Sequence, residues 1–277
     1  MAVHELPESS VPNVSDVTVI MPIAGRATRA REVTKDEIPK HLIRLGNGET
    51  VLDTITGNLQ RVGFRKFAFC VGFLKEQLKE HINEGSWRTS PNTAYAFDET
   101  DRLLGVDGTV IHAIGELGLT GQAMIIPGDL VLPWNSLATM NQQHAETGTD
   151  VTLGLTSVIT ERTTDVGKIV TEEGTGRLLW TFGRTDAMPP NLSGAQNMTS
   201  AAATSINTER YVALCEDFRR SAGHTAVELS LRDNVLPWAA ASEALYDIQG
   251  FDIQGEILDL GTPANIHYGQ QNWQNYV

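Results

Sequence analysis

Two kinds of charged residue in this 277-residue chain stand where chemistry could be done. The first is a run of cations, Arg26, Arg29, Arg31, Lys35 and Lys40, that begins just after an apolar, β-branched stretch, Val17-Thr18-Val19-Ile20-Met21. A buried strand that empties through a small-residue turn, here Pro22-Ile23-Ala24-Gly25, into positive charge presents backbone N–H groups and cations to a phosphate. The competing reading is a solvated basic loop. The second kind is a pair of carboxylates. Asp129 follows Gly128 within the apolar run 121–132, at a strand end, where open α/β sheets place their ligand crevices. It is either a strand-terminating turn residue or a ligand for Mg²⁺, which takes oxygen donors and shares its shell with substrate phosphates. Asp259, in Leu258-Asp259-Leu260-Gly261-Thr262-Pro263, reads on its own as a strand followed by a capped helix.

The elements that must position these residues alternate. After the basic loop, residues 50–61 carry Val51, Leu52, Ile55 and Leu59 at helical spacing, and 67–73 form a second buried-type strand. Residues 74–82 repeat the helical period, 92–97 read as a strand, and 121–132 as another, interrupted at Pro127-Gly128-Asp129. Asn135 is expected to cap a helix over 136–146, before a strand at 151–158. Strand, helix, strand, helix with short connections implies an α/β fold with a mostly parallel sheet covered on both faces. The second half changes character: a hairpin over 167–182 turning at Glu173-Gly174-Thr175-Gly176, then a strand at 199–206 and helices at 209–221 and 226–241. Short strands at 246–251 and 256–260 follow, and Thr262 caps a final helix. Residues 1–16, polar and with two prolines, read as a flexible arm. The rest, 17–277, reads as one domain with a nucleotide half over about 17–158 and a substrate half over about 159–277.

Composition narrows the partners. A net charge of −13 argues against nucleic acid and anionic membranes, but admits an anionic nucleotide where cations are concentrated and a divalent metal helps. Cys70 and Cys215 are the only cysteines, which implies no disulfide framework and a reducing cytoplasm. Nothing near the N-terminus resembles a signal peptide, and no apolar run reaches membrane-spanning length. Neither a P-loop nor a Rossmann G-x-G-x-x-G is present. The seven histidines, His4, His41, His81, His112, His144, His224 and His267, show no metal-ligand spacing and read mostly as surface or helix residues. G-x-S-x-G is absent, so covalent hydrolysis has no support.

Ala24-Gly25-Arg26-Ala27-Thr28-Arg29, followed by Pro39-Lys40-His41-Leu42, resembles the signature of the sugar-1-phosphate nucleotidyltransferases (NDP-sugar pyrophosphorylases), roughly A-G-x-G-T-R and then P-K-x-L. Ala27 departs from it, adding a methyl that could crowd a triphosphate where the family has glycine. The resemblance implies a Rossmann-like, three-layer α/β/α nucleotidyltransferase fold. It implies an NTP and a sugar 1-phosphate, or sugar-like cyclitol 1-phosphate, as substrates, with Mg²⁺ as cofactor. By the same resemblance Asp129 and Asp259 are the metal ligands and Arg29 and Lys40 the catalytic cations. Ala24, Gly25, Arg26, Ala27 and Thr28 would bind the nucleotide, as would Glu99, Gly108 and Thr109 in a segment like the family's nucleobase loop, for which a surface turn is the alternative. Gly167 and Arg184 would meet the sugar phosphate. The family's E-K-P is replaced by Gly183-Arg184-Thr185, so Arg184 can substitute for the lysine while no side chain substitutes for the glutamate. The expected sugar or cyclitol therefore differs from glucose in its hydroxyl pattern. A catalytically silent nucleotide-sugar-binding subunit is the alternative. A metal-dependent glycosyltransferase ranks last, because no D-x-D triplet occurs. The short stretch after Thr262 leaves no room for the β-helical domain of some relatives, and homo-oligomerisation stays open.

Overall fold

The computed structural model describes residues 13–85, 93–97, 104–158, 168–182, 194–223, 228–241 and 245–276. In chain order, the first half runs β1 (Thr18–Pro22), α1 (Arg31–Thr34), α2 (Val51–Arg61), β2 (Lys66–Val71), α3 (Lys75–Glu84) and β3 (Thr93–Phe97). It continues with α4 (Gly105–Leu117), β4 (Gln122–Ile125), β5 (Leu130–Val131), α5 (Trp134–Thr147) and β6 (Val151–Thr156). Next come β7 (Lys168–Glu172), β8 (Leu178–Phe182), β9 (Ala195–Asn207), α6 (Thr208–Ser221) and α7 (Leu236–Ala241). The last elements are β10 (Ile248–Asp252), β11 (Leu258–Asp259) and α8 (Pro263–Asn272).

Among the described residues the main sheet runs β10-β6-β9-β4-β1-β2-β3, with the β7–β8 hairpin attached through β7 to β9. β1 pairs in parallel with β2 and β4, and β2 with β3, while β9 runs antiparallel between β4 and β6. Strands buried on both faces need continuous apolar runs, and β1 supplies one in its buried centre, Val19-Ile20-Met21. Val19 and Met21 enter the core on one face, with residues of α2, α3, α5 and α8; Ile20 enters the other, with residues of α4, α6 and α7. The expected three-layer arrangement is thus present.

Local chemistry sets several element ends. Thr50 closes a capping box on α2: its Oγ1 accepts from the N–H of Asp53 at 3.1 Å, and the Asp53 carboxylate accepts from the N–H of Thr50 at 3.1 Å. His81 from α3 ties into the same cap, 2.9 Å from Asp53 Oδ1 and 3.2 Å from Thr50 Oγ1. Thr262 caps α8 as expected, accepting from the N–H of Asn265, with Pro263 opening the helix. The 173–176 turn joins β7 and β8 as expected.

Other expectations need correction. Asn135 is not a cap: α5 begins at Trp134, with Pro133 in the cap position and no side-chain cap bond. Gly108 and Thr109 lie neither in a nucleobase loop nor in a surface turn; they are buried inside α4, whose Val110, Ala113 and Ile114 pack into the core. In the expected helix over 226–241, residues 228–230 are not helical. The chain makes a π-helical stretch at Leu231–Val235, capped by Ser230, and continues into α7. The expected arm does not extend to residue 16, because Val14 is buried in the core.

Candidate active site

The cationic segment leaves the end of β1 in the centre of the sheet. Ala24 accepts a hydrogen bond from the N–H of Phe73 at 3.0 Å, which keeps the turn beside the end of β2. Gly25 has open space where a side chain would be, so its backbone is approachable. Ala27 adopts the left-handed conformation, φ 51 and ψ 44, that glycine favours. Its side chain packs against the core cluster.

The cations of this segment are distributed among several partners. The Arg26 guanidinium lies over the Phe73 ring, 5.7 Å from its centroid. Arg31 pairs with Asp36 at 2.8 Å, and Lys35, also left-handed, closes α1 through its N–H to the Arg31 carbonyl. Arg29 and Lys40 reach the two candidate metal ligands. Lys40 Nζ donates to Asp129 Oδ2 in a shielded ion pair, the two side chains 17% and 15% exposed. Arg29 Nη1 lies 3.7 Å from Asp259 Oδ2.

A small two-stranded sheet brings the carboxylates together. β11 pairs antiparallel with β5, and the N–H of Leu260 donates to the Asp129 carbonyl at 2.9 Å. The Asp259 carboxylate is then fixed by the N–H of Gly261 at 2.7 Å, and its carbonyl accepts from Asn265 Nδ2 at 2.7 Å. A Cβ at Gly261 would come within 2.7 Å of Asp259 Oδ1 and 2.8 Å of Arg29 Nη2, so a side chain there would push these two groups aside. Gly128 is equally constrained: a Cβ there would lie 2.3 Å from Ile23 Cγ2 and 3.0 Å from His41 Cδ2.

The two carboxyls differ electrostatically. Burial opposes the charge of Asp129, but the Lys40 ammonium in contact with it, aided by His41 and Arg29, holds its pKa below the usual range. Burial and the charge of Asp129 raise the pKa of Asp259, against the Gly261 N–H, Arg29 and Lys40. Arg29 and Lys40 thus offset the charge of Asp259 only in part, and a cation shared with Asp129 would add to them. Among the described residues no group of three His, Cys, Asp or Glu could hold a metal. Two hard carboxylates fit a Mg²⁺-like ion that completes its shell with phosphate oxygens and water, and do not fit a protein-only cage. His41 is buried and its pKa is pushed down to about 3, by burial and then by Lys40. Its Nδ1 has no partner among the described residues.

The structure therefore unites Arg29, Lys40, Asp129 and Asp259, with residues 24–28 leading into them. Gly108 and Thr109 sit within α4, and Glu99, Gly167 and Arg184, with Gly183, lie outside the described residues. The sequence reading assigned no role to Gly261 or to His41, whose burial no periodicity announced and which it expected, with the other histidines, mostly at the surface or on helices. It also passed over Arg232, a cation held on the π-helical stretch by two hydrogen bonds to Asp233 at 2.8 and 3.0 Å. The Asp233 bond raises the pKa of Arg232, burial opposes it, and the charges of Asp233, Asp107 and Asp259 add to the rise.

A family model described as "Nucleotidyl transferase" matches residues 17–179. "Probable mannose-1-phosphate guanyltransferase" of Schizosaccharomyces pombe (strain 972 / ATCC 24843) is 26% identical over 169 residues, covering 60% of this chain and 40% of that protein. "Glucose-1-phosphate adenylyltransferase" of Rhizobium meliloti (strain 1021) is 25% identical over 202 residues, covering 69% of this chain and 47% of that one. The chain thus spans less than half the length of the curated relatives it matches. Among solved structures, "Structure of the inositol-1-phosphate CTP transferase from T. maritima" superposes with a TM-score of 0.70 at 16% identity, covering 92% of each chain, a likeness of fold.

Proposed function

Because the chain belongs to the nucleotidyl transferase family, we propose that it joins an NTP to a sugar 1-phosphate, or a sugar-like cyclitol 1-phosphate, releasing pyrophosphate. The observation that carries this reading is the convergence of Arg29, Lys40, Asp129 and Asp259, from three separate parts of the sequence, at the end of β1.

In this reaction an oxygen of the sugar phosphate attacks the α-phosphorus of the NTP, and the bond from that phosphorus to the bridging oxygen breaks in line. The attacking phosphate is already anionic near neutral pH, so no general base is required. The barrier is the approach of two anions and the charge on the departing pyrophosphate, which positioned cations relieve. In our reading Lys40 leaves Asp129 for the α-phosphate, and Arg29 leaves Asp259 for the β- and γ-phosphates. The backbone from Ala24 to Thr28, open at Gly25, would donate N–H groups to the same chain of phosphates. Arg184 would seat the sugar phosphate, Gly167 would lie beside the sugar, and Glu99 would meet the base. Nucleotidyl transferases of this family generally use a divalent metal. Here Asp129 and Asp259 would hold Mg²⁺, which when bound supplies charge neutralisation and alignment of the phosphates. No helix among the described residues is long and apolar enough to cross a membrane. Both cysteines are buried thiols, as suits the reducing cytoplasm we infer for the protein.

The test is a pyrophosphate-release screen of the common NTPs against a panel of sugar 1-phosphates and cyclitol 1-phosphates with Mg²⁺. Release with one preferred pair, the acceptor other than glucose 1-phosphate, is the expected result. Binding of nucleotides without release by any pair would refute the enzymatic reading.

A further inference from the structure

In the free protein both candidate metal ligands are already engaged by cations. Lys40 donates to Asp129 within a shielded pair, and Arg29 lies 3.7 Å from Asp259. Two positive and two negative side chains leave the cluster formally neutral. A divalent ion arriving alone would be attracted by the carboxylates and repelled equally by the ammonium and the guanidinium. It would also have to separate a poorly hydrated ion pair, the costly step for buried charges. In return it would gain at most two protein ligands, since no third acidic, histidine or cysteine group completes a set among the described residues. Mg²⁺-like ions give up water reluctantly and bind such sparse sites only when phosphate oxygens fill the remaining positions.

A polyphosphate changes this balance. Its oxygens compete with the carboxylates for Lys40 and Arg29, and phosphate is a strong partner for both. Each cation drawn onto a phosphate frees a carboxylate, and the phosphates themselves add ligands for the metal. Resting on the nucleotidyl-transfer reading above, we propose that Lys40 and Arg29 are placeholder cations: the free protein excludes the divalent ion, and admits it only together with a polyphosphate chain.

Equilibrium dialysis tests this with the whole chain and Mn²⁺ as the probe, counting metal held in the protein chamber above that in the protein-free chamber. One arm contains Mn²⁺ alone, and the other contains Mn²⁺ with equimolar inorganic tripolyphosphate. The wild-type chain is expected to retain about tenfold more Mn²⁺ in the second arm than in the first. Lys40→Met, which keeps the stem and removes the charge, is expected to bind Mn²⁺ alone about tenfold more tightly than wild type, because Asp129 is released. Wild-type uptake from Mn²⁺ alone equal to that with tripolyphosphate overturns the placeholder role and leaves nucleotidyl transfer standing. Uptake in neither arm overturns both. A folded Lys40→Met chain with unchanged affinity for Mn²⁺ alone also overturns the placeholder role, and should that variant not fold, the two wild-type arms decide.

Discussion

Gly128→Ala tests whether the backbone beneath Asp129 is built to place that carboxylate. The added methyl would lie 2.3 Å from Ile23 Cγ2 and 3.0 Å from the His41 ring, both on buried residues. To reach ordinary contact, the methyl and Ile23 must separate by about 1 Å. Ile23 continues from the central strand β1, and His41 lies beside Lys40 against Gly128, so neither can give freely. Overpacking of this kind costs about 1–3 kcal/mol. At roughly 2–4 °C per kcal/mol for a domain near this size, the midpoint of thermal unfolding should fall by about 2–12 °C. A displacement of about 1 Å in a positioning group is worth on the order of 10²-fold in turnover. Calorimetry and pyrophosphate release on one preparation read both effects. Gly57→Ala in α2 is the control: nothing lies within 4 Å of its added Cβ. It should stabilise the chain by about 0.4–1 kcal/mol with turnover unchanged. A Gly128→Ala enzyme that melts and turns over like wild type would refute the reasoning.

Asp107 and Thr50 give tests independent of the chemistry. Asp107 is buried, accepting from Tyr211 Oη and, at 2.5 Å, from the N–H of Leu231, yet burial raises its pKa above the usual value. A raised folded-state pKa adds stability below the unfolded value that is lost as pH climbs through the folded one. The wild-type advantage over Asp107→Asn in urea unfolding should therefore grow from pH 7 towards about pH 4, and a flat difference would contradict the burial effect. Asp129, held low, pulls the opposite way and cancels in that comparison. Thr50→Ala removes the α2 cap and the link to His81, and should cost about 1–2 kcal/mol in the same assay. A loss below about 0.3 kcal/mol would mean that the cap is dispensable.

The parts of this fold that were readable in sequence are those whose cause is local. The apolar run of β1, the Thr262 cap and the 173–176 turn each follow from a few neighbouring residues. Tertiary packing overruled local preference elsewhere. Asn135 has the chemistry of a cap, but Pro133 is packed against Gly255 and the helix begins one residue before the asparagine. Gly108-Thr109 drew attention as a motif, while the helical spacing of Val110, Ala113, Ile114 and Leu117 was the truer signal. In the site, the residue types were legible and their pairing was not. Lys40 and Asp129 are 89 positions apart, and the β5–β11 ladder that unites the carboxylates is only two residues long on each strand. Strands that short leave almost no periodicity to read. His41 is buried by its contact with Gly128, a contact that exists only once the sheet has assembled.

The central claim is that Asp129 and Asp259 act as a pair in phosphoryl chemistry, and Asp129→Ala addresses it most directly. Pyrophosphate release should be measured with the best substrate pair from the screen, on protein whose circular dichroism and melting cooperativity match wild type. The account predicts that turnover disappears while the fold persists. A folded Asp129→Ala protein that releases pyrophosphate at the wild-type rate would contradict it.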